Sequence, residues 1–188
     1  MTLAYVGLGA NLGDREGTIR RAVELLGAEP GIEIVAVSAL RETDPVGYAD
    51  QPRFLNGATA VETELPPREL LDRLLAVERE LGRVRGDGPR DGPRAIDLDL
   101  LLFGDEVVDL PGLTVPHPRL AWRRFALEPL YELDPGLRLP DGRAVEPWGV
   151  LAAQAQGEGR MTGEGRGQND KLGPLGEGFM AGHGLQCG

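Results

Sequence analysis

Apolar residues run almost unbroken from Leu3 to Leu8, the pattern of a buried strand, and give way to the glycine-rich stretch Gly7–Gly13, read as a strand-to-helix turn. Asp14 then suits a helix N-cap, because Ile19, Ala22, Val23 and Leu26 recur at helical spacing and Gly27 offers a stop. Beyond Pro30-Gly31, the β-branched stretch Ile32–Leu40 predicts a second strand. Phe54–Glu62 predicts a third, reached through the 13-residue loop Arg41–Arg53. Pro66-Pro67 opens a second helix, in which Leu70, Leu71, Leu74, Val77, Glu78 and Leu81 keep a period near 3.6. An arginine- and glycine-rich loop, Gly82–Arg94, leads into a fourth strand, Ala95–Phe103. A hairpin around Val107–Val115 and a helix near Phe125–Leu133 follow. The order β-α-β-β-α-β through Phe103 predicts an α+β domain whose first two helices lie over one face of a largely antiparallel sheet.

Composition bounds this domain and its chemistry. From Gly157 to Gly188 there are 11 glycines in 32 residues and no periodicity, so the functional domain is expected at 1–156, with 157–188 a disordered tail. The net charge is −10. A nonspecific nucleic-acid binder carries the opposite balance. Of the 20 basic residues only Lys171 is a lysine, which excludes P-loop and Schiff-base lysines from the body of the chain. One cysteine and two histidines exclude a disulfide framework and a Cys/His zinc cluster. No apolar run is long enough for a membrane span. The chain therefore reads as a reduced, cytoplasmic protein with small-molecule partners, no nucleic acid and no membrane.

Asp97 and Asp99 carry the strongest chemical signal. At i and i+2 of a strand both carboxylates project from one face, among apolar neighbours. Such a pair is either a solvent-facing, salt-bridged pair or a site for a hard divalent cation such as Mg²⁺. The preceding loop carries Arg83, Arg85, Arg90 and Arg94, whose planar guanidinium groups match phosphate oxygens, and its glycines would let it close over a ligand. Taken alone the loop is equally a solvated surface segment. Carboxylates on one side and guanidinium groups on the other are the means of handling polyphosphate charge. The glycine turn fails the dinucleotide fingerprint, since position 12 is Leu, so Gly7 and Gly9 are read as tight strand-to-helix packing and Asn11 as a loop brace. Phe54 and Asn56 share a strand face, where a planar heterocycle could stack while the amide reads its edge, although ordinary core explains Phe54 as well. Trp122–Phe125 offers further aromatics, and His117, between Pro116 and Pro118, is either structural or within reach of a phosphate.

Together these stretches resemble the 6-hydroxymethyl-7,8-dihydropterin pyrophosphokinase family. The resemblance rests on Tyr5–Gly13, Asp50–Gly57, Gly82–Arg85, the Gly-Pro-Arg-x-x-Asp-x-Asp pattern within Gly92–Phe103, and Leu113–His117, in the family's order over residues 3–143. The chain departs from the family at Asp91, where a tryptophan is expected, and at Pro118, where an aromatic often stands.

The resemblance implies a ferredoxin-like fold with extra C-terminal strands. It implies transfer of pyrophosphate from the co-substrate ATP to the pterin's hydroxymethyl group, with AMP released, in folate biosynthesis. Asp97 and Asp99 would then hold two Mg²⁺ ions, and Arg83 and Arg94 would assist catalysis. The pterin would be bound by Thr43, backbone of Val46, Phe54, Asn56 and Phe125. The nucleotide would meet Glu78, Arg85, Arg94, His117 and Arg123. A monomer is expected, with contact to neighbouring folate-pathway enzymes left open. Two other readings are a non-enzymatic ferredoxin-like module and a nucleotidyltransferase. The first would have no use for the aspartate pair behind four arginines, and the second would release pyrophosphate instead of AMP.

Overall fold

The alternating faces of the first strand set the layout. In the computed structural model, which describes residues 1–83 and 92–150, β1 spans Thr2–Ala10. Its residues Ala4, Val6, Leu8 and Ala10 point to one side of the sheet. There they join Ile19, Ala22 and Leu26 of α1 (Arg15–Ala28) and Leu70, Leu74 and Val77 of α2 (Pro67–Glu80). Tyr5 points to the other side, where Ala126, Leu127 and Leu130 of α3 (Arg124–Leu133) cover it. Gly7 and Gly9 share that second face but bring no side chain to it, so this half of the face is bare of β1 side chains.

The sheet is completed by β2 (Ile32–Val37), β3 (Arg41–Thr43), β4 (Phe54–Thr63) and β5 (Asp97–Phe103). Its order is β2-β4-β1-β5, with β3 added beside β4, and every pairing is antiparallel. This is the ferredoxin-like arrangement. Two small hairpins follow, β6 (Val108–Leu110) with β7 (Leu113–Val115), and β8 (Val145–Glu146) with β9 (Gly149–Val150). The chain separates into two units, Met1–Ala155 and Gln156–Gly188, and the described residues belong to the first. The expected boundary at 156, the tail 157–188, Arg85 and Arg90 lie outside the described residues.

Several local expectations are corrected. The first strand continues to Ala10, so Gly7 and Gly9 are central strand residues and not part of a turn. Helix α1 runs through Gly27 to Ala28, and Glu29 N–H closes it on the Leu26 carbonyl at 3.1 Å. Gly27 instead lets α1 approach β2, since a Cβ there would stand 3.1 Å from the Ile34 side chain. The loop expected at Arg41–Arg53 contains β3, whose three residues carry no alternation of their own and pair with Phe54–Asn56 across the sequence. The two helices of the β-α-β-β-α-β core do share one face, as expected, and α3 covers the opposite side. Asp14 does cap α1, its carboxylate accepting from Gly17 N–H at 3.0 Å.

A bulge explains the leucine run in β5. Leu100 pairs with Val6 and Leu102 with Tyr5, which leaves Leu101 as the extra residue. Leu98 and Leu100 pack toward α1 and α2, while Leu101 and Leu102 both turn toward α3. Upstream of the bulge, Asp97 and Asp99 face the bare half of the sheet.

The Tyr5 hydroxyl donates to the Asp134 carboxylate at 3.2 Å, tying β1 to the end of α3. Burial, reinforced by the Asp134 charge, pushes the phenol up to about 12. An unfolded tyrosine ionises near pH 10. Between about pH 10 and 12 the folded state therefore holds the extra proton, and stability falls as pH rises through that window. Tyr5→Phe should remove this component, and melting curves of both proteins from pH 8 to 11.5 should converge at the alkaline end.

Candidate active site

The bare half of the sheet is the floor of a cavity of about 270 Å³. Three adjacent strands supply it through their register. Gly9 of β1 lies opposite Asn56 of β4 on one side and Asp97 of β5 on the other, and Gly7 lies between Ala58 and Asp99. A Cβ at Gly9 would stand 2.8 Å from the Asn56 side-chain oxygen, so only glycine leaves this amide its place. Thr43, Asp44, Val46, Phe54, Asn56, Arg94, Asp97, Arg119, Trp122, Arg123 and Phe125 complete the lining with Gly9.

Both aspartates are ion-paired. Asp97 lies between two guanidinium groups, bonded to Arg83 and, at 2.7 Å, to Arg94, while Asp99 receives Arg123 at 3.0 Å. Behind the strand, Glu78 of α2 is 1% exposed. Its carboxylate accepts from Leu98 N–H at 2.8 Å and pairs with Arg83. Glu78 thus fastens α2 to the backbone between the two aspartates and holds Arg83 against Asp97. Burial works against the Arg83 charge, but Asp97 and Glu78 outweigh it and hold the guanidinium above its ordinary range.

Arg94 is anchored at its backbone as well. Its N–H donates to the Asn11 side-chain oxygen at 2.8 Å, and its carbonyl accepts from Asn11 N–H at 3.1 Å. Asn11 in turn donates its amide to Gln51 at 2.9 Å and to the Pro52 carbonyl at 3.0 Å. One buried asparagine therefore braces two segments that border the cavity. The arginine loop was expected to close over a ligand as a whole. Its end at Arg94 is already tethered by these bonds, and residues 84–91 lie outside the described residues.

The aromatic wall is built from distant parts of the chain. Phe54 opens β4 and Phe125 lies in the first turn of α3; Arg94 stacks over the first ring at 5.8 Å and Arg123 over the second at 5.4 Å. Between them the Asn56 amide, 7% exposed, donates to the Thr43 hydroxyl at 2.6 Å. Val46, 68% exposed, lies on a loop held by Arg15, which bonds the Arg53 carbonyl and Glu42, and by Arg53, which bonds Asp44. Asp44 and Arg119, which also line the cavity, were not singled out from the sequence, because no periodicity or motif marks them.

His117 lies in a second cavity of about 330 Å³, with Asp99, Leu98, Leu100 and Thr114. Its backbone N–H donates to the Leu101 carbonyl at 2.9 Å, and its Nδ1 accepts from Arg119 N–H at 3.2 Å. Burial is the leading influence and pushes the imidazolium down, against the nearby Asp99 charge that favours it. With Nδ1 accepting from Arg119, Nε2 is left as the ring's donor. Asp99 borders this cavity and also a small cleft over Gly7 and Gly9, so it joins the two larger sites.

Among the described residues no three His, Cys, Asp or Glu side chains gather into a metal site, and no helix is long and apolar enough to cross a membrane.

Sequence similarity gives the family. The family model for 7,8-dihydro-6-hydroxymethylpterin-pyrophosphokinase matches residues 5–135. A Pseudomonas aeruginosa protein named 2-amino-4-hydroxy-6-hydroxymethyldihydropteridine pyrophosphokinase is 48% identical over 159 residues, covering 85% of this chain and 96% of its own. A Bacillus subtilis protein of the same name is 49% identical over 131 residues, 70% of this chain and 77% of its own. The folic acid synthesis protein fol1 of Schizosaccharomyces pombe is 42% identical over 138 residues, 73% of this chain but 19% of that much longer protein. With 131 consecutive positions matched by one family model and near-half identity to two of its enzymes, the chain belongs to the 7,8-dihydro-6-hydroxymethylpterin-pyrophosphokinase family of diphosphokinases.

Proposed function

We propose that this enzyme transfers pyrophosphate from ATP to the hydroxymethyl oxygen of 6-hydroxymethyl-7,8-dihydropterin, releasing AMP, as a step of folate biosynthesis. The observation that carries the reading is the glycine-floored cavity lined together by Asp97, Asn56, Phe54 and Phe125, with Asp99 leading from it to the cavity of His117. A planar, amide-edged heterocycle suits the first cavity, because Phe54 and Phe125 offer ring faces while Asn56, Thr43 and the backbone at Val46 offer edge partners. The nucleotide is assigned to the second, where His117 can donate from Nε2 to a phosphate. Glu78 supports that side by orienting Arg83 and the backbone at Leu98; Arg85 is assigned to the nucleotide by resemblance.

The donor set of Asp97 and Asp99 fits Mg²⁺. Two hard carboxylates on one strand face are a sufficient protein contribution when substrate phosphates complete the shell. Asp97 and Asp99 would hold two ions, which would neutralise phosphate charge and polarise the transferring group. The chain's own groups then do the rest. Arg83, Arg94 and Arg123, which pair with these carboxylates, would turn to phosphate oxygens and stabilise charge that builds during transfer. The bare floor at Gly7 and Gly9 lets the hydroxymethyl group approach the phosphorus, and the aromatic walls exclude water that would otherwise accept the pyrophosphate. The domain is assigned to 1–156, acting as a cytoplasmic monomer.

The direct test is AMP production from ATP and the pterin, with and without Mg²⁺. Formation of free pyrophosphate in place of AMP would assign a nucleotidyl transfer and overturn the reading. A second expectation separates the two ligands. Asn56→Ala leaves a buried heterocycle edge without its partner, a loss of about 1–3 kcal/mol. Pterin binding measured by calorimetry should weaken accordingly, while ATP affinity stays within about twofold. Equal losses for both ligands would make Asn56 a structural residue of the β3–β4 pairing.

A further inference from the structure

Trp122 lies at the end of a short 3-10 turn, Leu120–Trp122, directly before the residues that open α3. Leu120 is 2% exposed and packed beside Ala126 and Leu127, so the turn is anchored from within. Its backbone is closed by Trp122 N–H to the Arg119 carbonyl at 3.2 Å and Arg123 N–H to the Leu120 carbonyl at 3.1 Å. The anchored turn sends the indole outward, 86% exposed, onto the rim of the cavity that holds Phe54, Asn56 and Phe125.

An indole kept almost wholly in water, on a rigid turn and beside an aromatic cavity, gains free energy when a flat ligand covers it. The other tryptophan, Trp148, is also exposed but lines none of the cavities described. Trp122 does not border the cavity of His117, so its natural partner is the occupant of the first cavity.

We propose that Trp122 is a substrate-binding residue that forms the outer aromatic wall of the pterin pocket, packing against the ring on the side that Phe54 and Phe125 leave toward solvent. The proposal rests on the pterin reading above. Trp122 contributes to pterin affinity and leaves the transfer step to the charged residues of the floor.

The chain contains two tryptophans, so Trp148→Phe makes Trp122 the sole indole reporter. In that protein, saturation with 6-hydroxymethylpterin, in the presence of Mg²⁺ and α,β-methylene-ATP, should lower the acrylamide quenching constant at least about twofold as one indole face is covered. Trp122→Ala should raise the pterin KM about tenfold, with kcat and the ATP KM changed less than about twofold, and Trp122→Phe should recover most of the loss. Calorimetry on the same samples reports whether the pterin binds at all. Absence of binding would overturn the pocket reading and this proposal together. Pterin binding with Trp122 still fully quenchable, and an unchanged KM for Trp122→Ala, would overturn the wall assignment alone.

Discussion

Asp97→Asn should reduce turnover by at least about a hundredfold, since one well-placed electrostatic contact is worth roughly 3 kcal/mol in a transition state. The substitution preserves shape and removes only the charge on which Arg83 and Arg94 converge. Two consequences follow, of different kinds. Without ligands, Arg83 keeps its second partner in Glu78, so that guanidinium stays paired and the domain should remain folded. With ligands, on the proposed metal assignment, the ion that would neutralise phosphate charge loses one of its carboxylate ligands, so the loss should appear in kcat at saturating substrates. Circular dichroism and steady-state kinetics on one preparation separate the two. A folded Asp97→Asn protein with near-normal activity in Mg²⁺ would remove the metal assignment. Asp99→Asn is expected to behave in the same way.

Arg94→Ala should lower kcat by about a hundredfold or more while leaving pterin affinity unchanged or slightly improved. The sign of the second effect comes from the structure. The Arg94 guanidinium covers the Phe54 face at 5.8 Å, and any ring that stacks there must first displace it. Removing the side chain abolishes that competition, and so loss of pterin affinity is not expected. The rate effect has a separate origin. The backbone of Arg94 is held by Asn11 and its guanidinium already pairs with Asp97, so a side chain displaced from Phe54 keeps a fixed base beside the carboxylates where the proposed phosphates would lie. Nucleotide affinity should change little, because an interaction gained mainly during transfer raises kcat and not ground-state binding. Single-turnover kinetics with equilibrium titrations of each ligand would check both halves. A mutant that loses affinity but keeps its rate would place Arg94 among the ground-state binding groups.

Much of the frame could be read directly from the chain. The β-α-β-β-α-β order followed from apolar periodicity and from the Gly and Pro residues between segments, which are local properties. The shared face of Asp97 and Asp99, and that of Phe54 and Asn56, followed from the two-residue repeat of a strand, as did the N-cap at Asp14 from its position before a periodic run. Partnership across the molecule was not legible in this way. Gly7 and Gly9 looked like a turn because glycine is favoured in turns; as central strand residues they take their meaning from Asn56 and Asp97 on the neighbouring strands, and that register is set by the packing of the opposite face against α1 and α2. Glu78 kept the period of α2 among its leucines, yet it is a buried carboxylate held by the Leu98 amide and Arg83, a pairing that exists only once α2 lies on β5. Likewise, β3 has no pattern of its own and forms because β4 presents a free edge to it. The absence of side chains at Gly7 and Gly9, beside the α3 residues Phe125 and Ala126, is what leaves room there. Sequence periodicity reports which side of its own element a residue occupies, whereas the site depends on which elements meet, and that is decided by long-range burial and register.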